Sequence, residues 1–154
     1  MRLSPGSILL TALVGLLLTG CQSGYTLTGR AVESSYGDAG FVSRDNQLIV
    51  DAPGIPGARV RVYRNPDRGD RELVASGRSD LDGSINLPVS AFGAGWMQEQ
   101  WEIEVFCNGF ETVTSRVTFP RSSGSRWLLV TMRKGRAIEP LPADPAWEQY
   151  EQFK

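Results

Sequence analysis

Ala58-Arg59-Val60-Arg61-Val62-Tyr63 sets small apolar residues at every second position. In an extended chain successive side chains point to opposite faces. Ala58, Val60 and Val62 therefore share one side, and Arg59, Arg61 and Tyr63 the other. That alternation predicts a strand with one buried face. Before it, Pro53-Gly54-Ile55-Pro56-Gly57 reads as a tight turn, and after it Asn65 to Asp70 reads as a polar loop.

The same period of two recurs on both sides of this strand. Strands are predicted over Tyr25 to Glu33, Glu72 to Ser79, Ile85 to Val89, Trp101 to Cys107, Val113 to Phe119 and Trp127 to Arg133. Trp101, Ile103, Val105 and Cys107 fall on one inner face, which marks that strand as central and Cys107 as a core residue. Pro88 removes a backbone donor, so its strand belongs at an edge or ends early. Asp80-Leu81-Asp82-Gly83 and Asn108-Gly109 supply turns. Ser34 to Asn46 is a glycine- and serine-rich excursion, followed by a short apolar piece, Leu48-Ile49-Val50. The expected fold is all-β: a single seven-stranded β-sandwich over residues 25–134. A sandwich of this size buries roughly 65% of its unfolded surface, sufficient to fold without disulfides.

Composition narrows the chemistry. The chain has 154 residues, 17 acidic and 16 basic groups, two cysteines and no histidine. Ser-His-Asp and Cys-His nucleophile pairs are excluded, as are histidine-ligated zinc and imidazole acid–base catalysis. A net charge of −1 argues against nucleic-acid binding, which needs a basic face to displace counterions.

The first residues address the chain. Arg2 precedes an apolar run from Ile8 to Leu18, which ends at Thr19-Gly20-Cys21. Eleven helical residues reach roughly 16 Å, about half a hydrocarbon core, so the run suits a signal-peptide core and not a permanent span. Leu18-Thr19-Gly20-Cys21 resembles the lipobox of bacterial lipoproteins. That resemblance implies diacylglyceryl transfer to the Cys21 thiol, cleavage between Gly20 and Cys21, and acylation (palmitate among the chains) of the new terminus. Gln22 in place of Asp implies sorting to the outer membrane. Residues 1–20 are then a signal peptide and residues 21–24 a lipidated tether. With Cys21 acylated, Cys107 has no intramolecular disulfide partner.

A second resemblance rests on Gly54-Ile55-Pro56-Gly57-Ala58-Arg59-Val60, on Ser76 to Gly83, and on Trp101 to Val105 with Gly109-Phe110. Together these resemble carboxypeptidase regulatory-like domains, which are transthyretin-like (prealbumin-like) sandwiches. Ser79 stands where that family usually has threonine, and the Ser34 to Asn46 excursion is longer than its norm. The resemblance implies an accessory or adhesive module. Enzymes on transthyretin-like folds use histidine, which this chain lacks, so their activities do not carry over.

Other candidate sites have plain structural explanations. Asp80 and Asp82 fall out of register for a calcium loop, since Val89 occupies the position of the bidentate acid. Arg68-Gly69-Asp70 spells an integrin-recognition tripeptide, too short to carry information. Glu102 and Glu104 share one strand face and read as a solvated outer surface rather than a catalytic pair. Of the four tryptophans, Trp101 reads as core and Trp127 as core or outer face. Trp96, in a glycine-bearing loop, is the candidate for ligand stacking. Residues 135–154 form a proline-rich tail, with Asp144-Pro145 able to start a short helix bearing Trp147 and Tyr150. Those aromatics either dock on the domain or bind a partner.

The sequence thus predicts a lipid-anchored protein of the cell envelope, at the outer membrane, with a non-catalytic accessory or binding module. Its alternatives are a carbohydrate- or peptide-binding module and, more remotely, a hydrolase using carboxylates alone. No catalytic residue, metal ligand or cofactor is assigned. The expected partners are membrane lipid through Cys21 and an envelope protein or glycan, with no nucleic acid.

Overall fold

The computed structural model describes residues 24–67 and 71–138. Eight strands run in chain order: β1 (Tyr25–Glu33), β2 (Asp38–Val42), β3 (Arg59–Arg64), β4 (Glu72–Arg78), β5 (Ser84–Val89), β6 (Gln100–Phe106), β7 (Val113–Thr118) and β8 (Trp127–Met132). One short helix, α1 (Gln47–Asp51), lies between β2 and β3. The strands form two four-stranded sheets, ordered β2-β8-β1-β5 and β4-β3-β6-β7. β1 and β8 pair in parallel, and the other pairs are antiparallel.

The protein is therefore an all-β sandwich, with eight strands among the described residues rather than the expected seven. The added strand is β2, inside the excursion read as a loop. It pairs with β8, Ala39 opposite Val130 and Phe41 opposite Leu128. Its two inward side chains are separated by Gly40, so the apolar signal is faint. The Leu48-Ile49-Val50 piece is a helical turn. The Asn46 side-chain oxygen accepts from the Leu48 amide at 3.0 Å, capping its start.

Alternating residues from both sheets build one core. β3 supplies Val60 and Val62, β6 supplies Trp101, Ile103 and Val105, and the facing sheet supplies Leu27, Ile85, Leu128 and Val130. Trp101 is fully enclosed, so it is a core residue as expected. β6 is interior to its sheet, and β5, which carries Pro88, is an edge. A smaller cluster lies outside the first sheet, where Ile49 of α1 packs on Val32 and Leu129 with Trp127 at its margin. That cover explains why β8 is buried on both faces. Arg30 secures it, donating to the carbonyls of Ile49 and Val50 at the helix end and to that of Asp82.

The two glycine-bearing turns meet at one end of the sandwich. Gly57 and Ser79 exchange a backbone bond, as do Ser79 and Ala58. The buried Ser79 hydroxyl donates to the Ile55 carbonyl at 2.7 Å and accepts from the Ala58 amide at 2.9 Å. A β-carbon on Gly54 would collide with the Asp82 carbonyl. Gly83 has φ +84° and bonds its carbonyl to the Ala31 amide at 2.8 Å.

Candidate functional site

At the opposite end, the chain leaves β5 at Val89 and reaches β6 through a loop over residues 90–99. Ala91 and Ala94 are buried and pin this loop inward. Gly93 and Gly95, with φ +93° and +80°, turn it sharply, and the amides of Trp96 and Met97 both bond to the Gly93 carbonyl. The outward positions fall to Phe92 and Trp96, which are 68% and 55% exposed. Their rings meet edge to face at 5.1 Å and 88°.

A stacked aromatic column supports the loop from below. Tyr25 lies on Phe119 at 5.0 Å, Phe119 lies on Trp101 at 4.9 Å, and Phe41 meets Phe119 edge-on. Gly95 rests against the Tyr25 ring, where any β-carbon would stand 2.6 Å from Cε2. Burial pushes the Tyr25 phenol up to about 12, because its charged form is poorly solvated there. Gly24, Tyr25, Gly95, Trp96, Arg121 and Ser122 line an open, shallow groove of about 340 Å³. Arg121 makes no ion pair among the described residues.

A second concavity, of about 310 Å³, lies beyond the far end of β6 between Pro56, Arg59, Arg78, Phe106 and Cys107. Here the expectation for Cys107 needs correction: it is half-buried at the core margin rather than enclosed. It lies just past the last residue of β6, where the chain turns at Asn108-Gly109 and the facing sheet no longer covers it. Partial burial raises the Cys107 thiol above its ordinary value, which favours the unreactive protonated form.

Glu102 and Glu104 also differ from expectation. They occupy the outer face of β6, but Glu104 is buried rather than solvated. Arg61 reaches Glu104 at 3.3 Å, and Arg71 bridges Glu102 and Glu104 while its guanidinium lies over the Tyr63 ring. Burial pulls Arg71 down, but the hydrogen bond and charge of Glu102, with further charge from Tyr63 and Glu104, outweigh it and raise the group. The arrangement neutralises both acids inside one sheet face; it does not set two carboxylates across a cleft.

Asp82 serves its own turn. Its carboxylate accepts from the Ser84 amide at 3.0 Å and hydroxyl at 2.8 Å, and these bonds hold it below the usual carboxylate range. Among the described residues there is no group of three or more acidic, cysteine or histidine side chains able to hold a metal. Trp127 is half-buried on the outer face, with Arg44 over its ring at 5.1 Å. Gly20, Cys21, the Arg68-Gly69-Asp70 tripeptide, Trp147 and the tail helix lie outside the described residues.

Trp96 is legible in the sequence, and its neighbours at the groove are not. Phe92 precedes it by four residues across Gly93 and Gly95, a spacing that marks two large rings on one glycine-turned loop. Arg121 and Tyr25 carried no local signal, since only the tertiary fold brings them to the groove.

No known family model matches the chain, and no curated protein matches it. Among solved structures, the chain is similar to a 9R-lipoxygenase from Cyanothece PCC8801, with 14% identity and a TM-score of 0.37. That likeness covers 92% of this chain and 22% of the lipoxygenase, and at such a score it carries no argument about fold or activity.

Proposed function

We propose that this protein is a lipid-anchored component of the bacterial cell envelope, at the outer membrane, whose β-sandwich is a non-catalytic accessory or binding module. The observation that carries this reading is Leu18-Thr19-Gly20-Cys21 at the end of an eleven-residue apolar run. Two or three acyl chains hold a protein stably on a membrane, whereas one alone binds marginally. The non-catalytic part is supported by the acids with the strongest claim to chemistry, Glu102 and Glu104, being committed to Arg61 and Arg71.

The transthyretin-like assignment of the sandwich belongs to the same proposal. It is supported by the packing of Gly54, Ser79 and Gly83, the residues that carry the resemblance, into one junction beside β1. Ser79 makes there, with its hydroxyl, the two bonds that a threonine could make equally.

Fractionation of cells expressing the full chain tests the anchor. The native chain should sediment with membranes, and Cys21→Ser should appear in soluble or unprocessed form. Equal membrane association of both as cleaved chains would contradict the proposal. A second reading, carbohydrate or peptide binding, is favoured by the exposure of Trp96 and Phe92. Quenching of tryptophan emission across a glycan and peptide panel, lost in Trp96→Phe, would support it.

A further inference from the structure

We infer that the Phe92–Trp96 pair and Arg121 form a second membrane contact, which seats the β1 end of the sandwich on the lipid surface. The inference rests on the lipid anchor at Cys21 proposed above. It adds an orientation and a lipid-binding surface that acylation alone does not specify.

Only Gln22 and Ser23 separate Cys21 from Gly24, and three fully extended Cα–Cα steps span about 11 Å. Gly24 itself lines the groove with Trp96 and Arg121. An acylated Cys21 therefore holds this end of the domain within about one headgroup layer of the bilayer, and no longer tether lets the domain turn over. The Cys107 concavity, at the other end of β6, then faces away from the membrane.

Tryptophan concentrates at membrane–water interfaces because its ring is apolar and its N–H is polar. Phe92 and Trp96 project from the loop while Ala91 and Ala94 hold it inward, so the rings are presented rather than left over from the core. Their crossing at 88° makes a ridge, suited to entering between headgroups, and not the coplanar platform that a sugar ring covers. Arg121 lies in the same groove as Trp96, beside the hydroxyl-bearing Ser122 and Ser123. A guanidinium paired with such donors matches a phosphate headgroup. The groove is open and shallow, as contact with a flat surface requires.

The test uses the full chain, acylated in cells, purified and reconstituted into phosphatidylethanolamine–phosphatidylglycerol vesicles with and without acyl-brominated lipid. Bromine quenches only tryptophans near the acyl chains. Native emission should fall in brominated vesicles, and Trp96→Phe should abolish most of that loss; the substituted ring is exposed, so the fold is retained. Quenching that is absent, or that persists unchanged in Trp96→Phe, overturns the contact. Flotation of native chain against Cys21→Ser reads the anchor separately. If flotation depends on Cys21 while Trp96 is not quenched, the anchor stands and the second contact falls. If Cys21→Ser floats as the native chain does and Trp96 is not quenched, both fall. Quenching of Trp96 by soluble oligosaccharide, with none by brominated lipid, assigns the pair to a sugar and overturns the inference.

Discussion

Gly95 sits against the edge carbons Cδ2 and Cε2 of the Tyr25 ring, leaving no room between them for a β-carbon. This contact joins the loop that presents Trp96 to the first strand, four residues after Cys21. Gly95 also has φ +80°, a conformation that side-chain-bearing residues rarely adopt. Gly95→Ala should therefore destabilise the fold by about 1–3 kcal/mol and lift the 90–99 loop. Urea unfolding reads the first effect, and Trp96 emission in the native state reads the second.

Burial of Tyr25 makes stability sensitive to alkali. Its phenol stays protonated up to about pH 12 in the folded chain, against an ordinary value of 10. The folded state thus binds more protons between those values, so stability falls as pH rises through that window and is unaffected below it. Tyr25→Phe keeps the ring on Phe119 but removes the proton. The native chain should lose stability relative to Tyr25→Phe from pH 10 upward, by an amount on the order of 1–2 kcal/mol. Parallel melting curves of the two across that range would reveal it.

At the other end of the sandwich, Ser79 ties the turn before β3 to the end of β4. Ser79→Ala leaves the buried Ile55 carbonyl and Ala58 amide without their hydroxyl partner. A loss of about 1–3 kcal/mol is expected by denaturant titration. Ser79→Thr restores both bonds and should recover most of it.

The Glu104 carboxylate accepts from Arg61 and pairs with Arg71 beneath the outer surface. Glu104→Gln should cost about 1–3 kcal/mol, because two guanidinium groups lose a shared counter-charge. Glu102→Gln should cost less, since Arg71 retains Glu104. A double-mutant cycle between Arg71 and Glu104 should show coupling; strict additivity would contradict the shared network.

Much of this architecture was legible wherever burial is one-sided. Arg59–Arg64, Ser84–Val89 and Gln100–Phe106 alternate in sequence because one face meets the opposite sheet, and their core residues are those that the period of two selects; Tyr63, on the outer face, is buried as well, beneath Arg71. Asp38–Val42 escaped because Ala39 and Phe41 flank a glycine and two faces of weak contrast. Trp127–Met132 lost its alternation because α1 covers its outer side, a contact made by residues distant in sequence. At the candidate site, Trp96 was readable from its glycine-rich loop. The partnership with Phe92, Tyr25 and Arg121 was not, because it arises where four chain segments converge. Cys107 and Glu104 show the complementary error: both follow the alternation, yet one lies past the cover of the facing sheet and the other beneath two arginines.

The lipid anchor carries the rest, and one measurement addresses it directly: mass spectrometry of the N-terminal peptide of the full chain isolated from membranes. The isolated chain should begin at Cys21 and bear diacylglycerol on its thiol. A chain that begins elsewhere, or that begins at Cys21 with a free thiol, would contradict it.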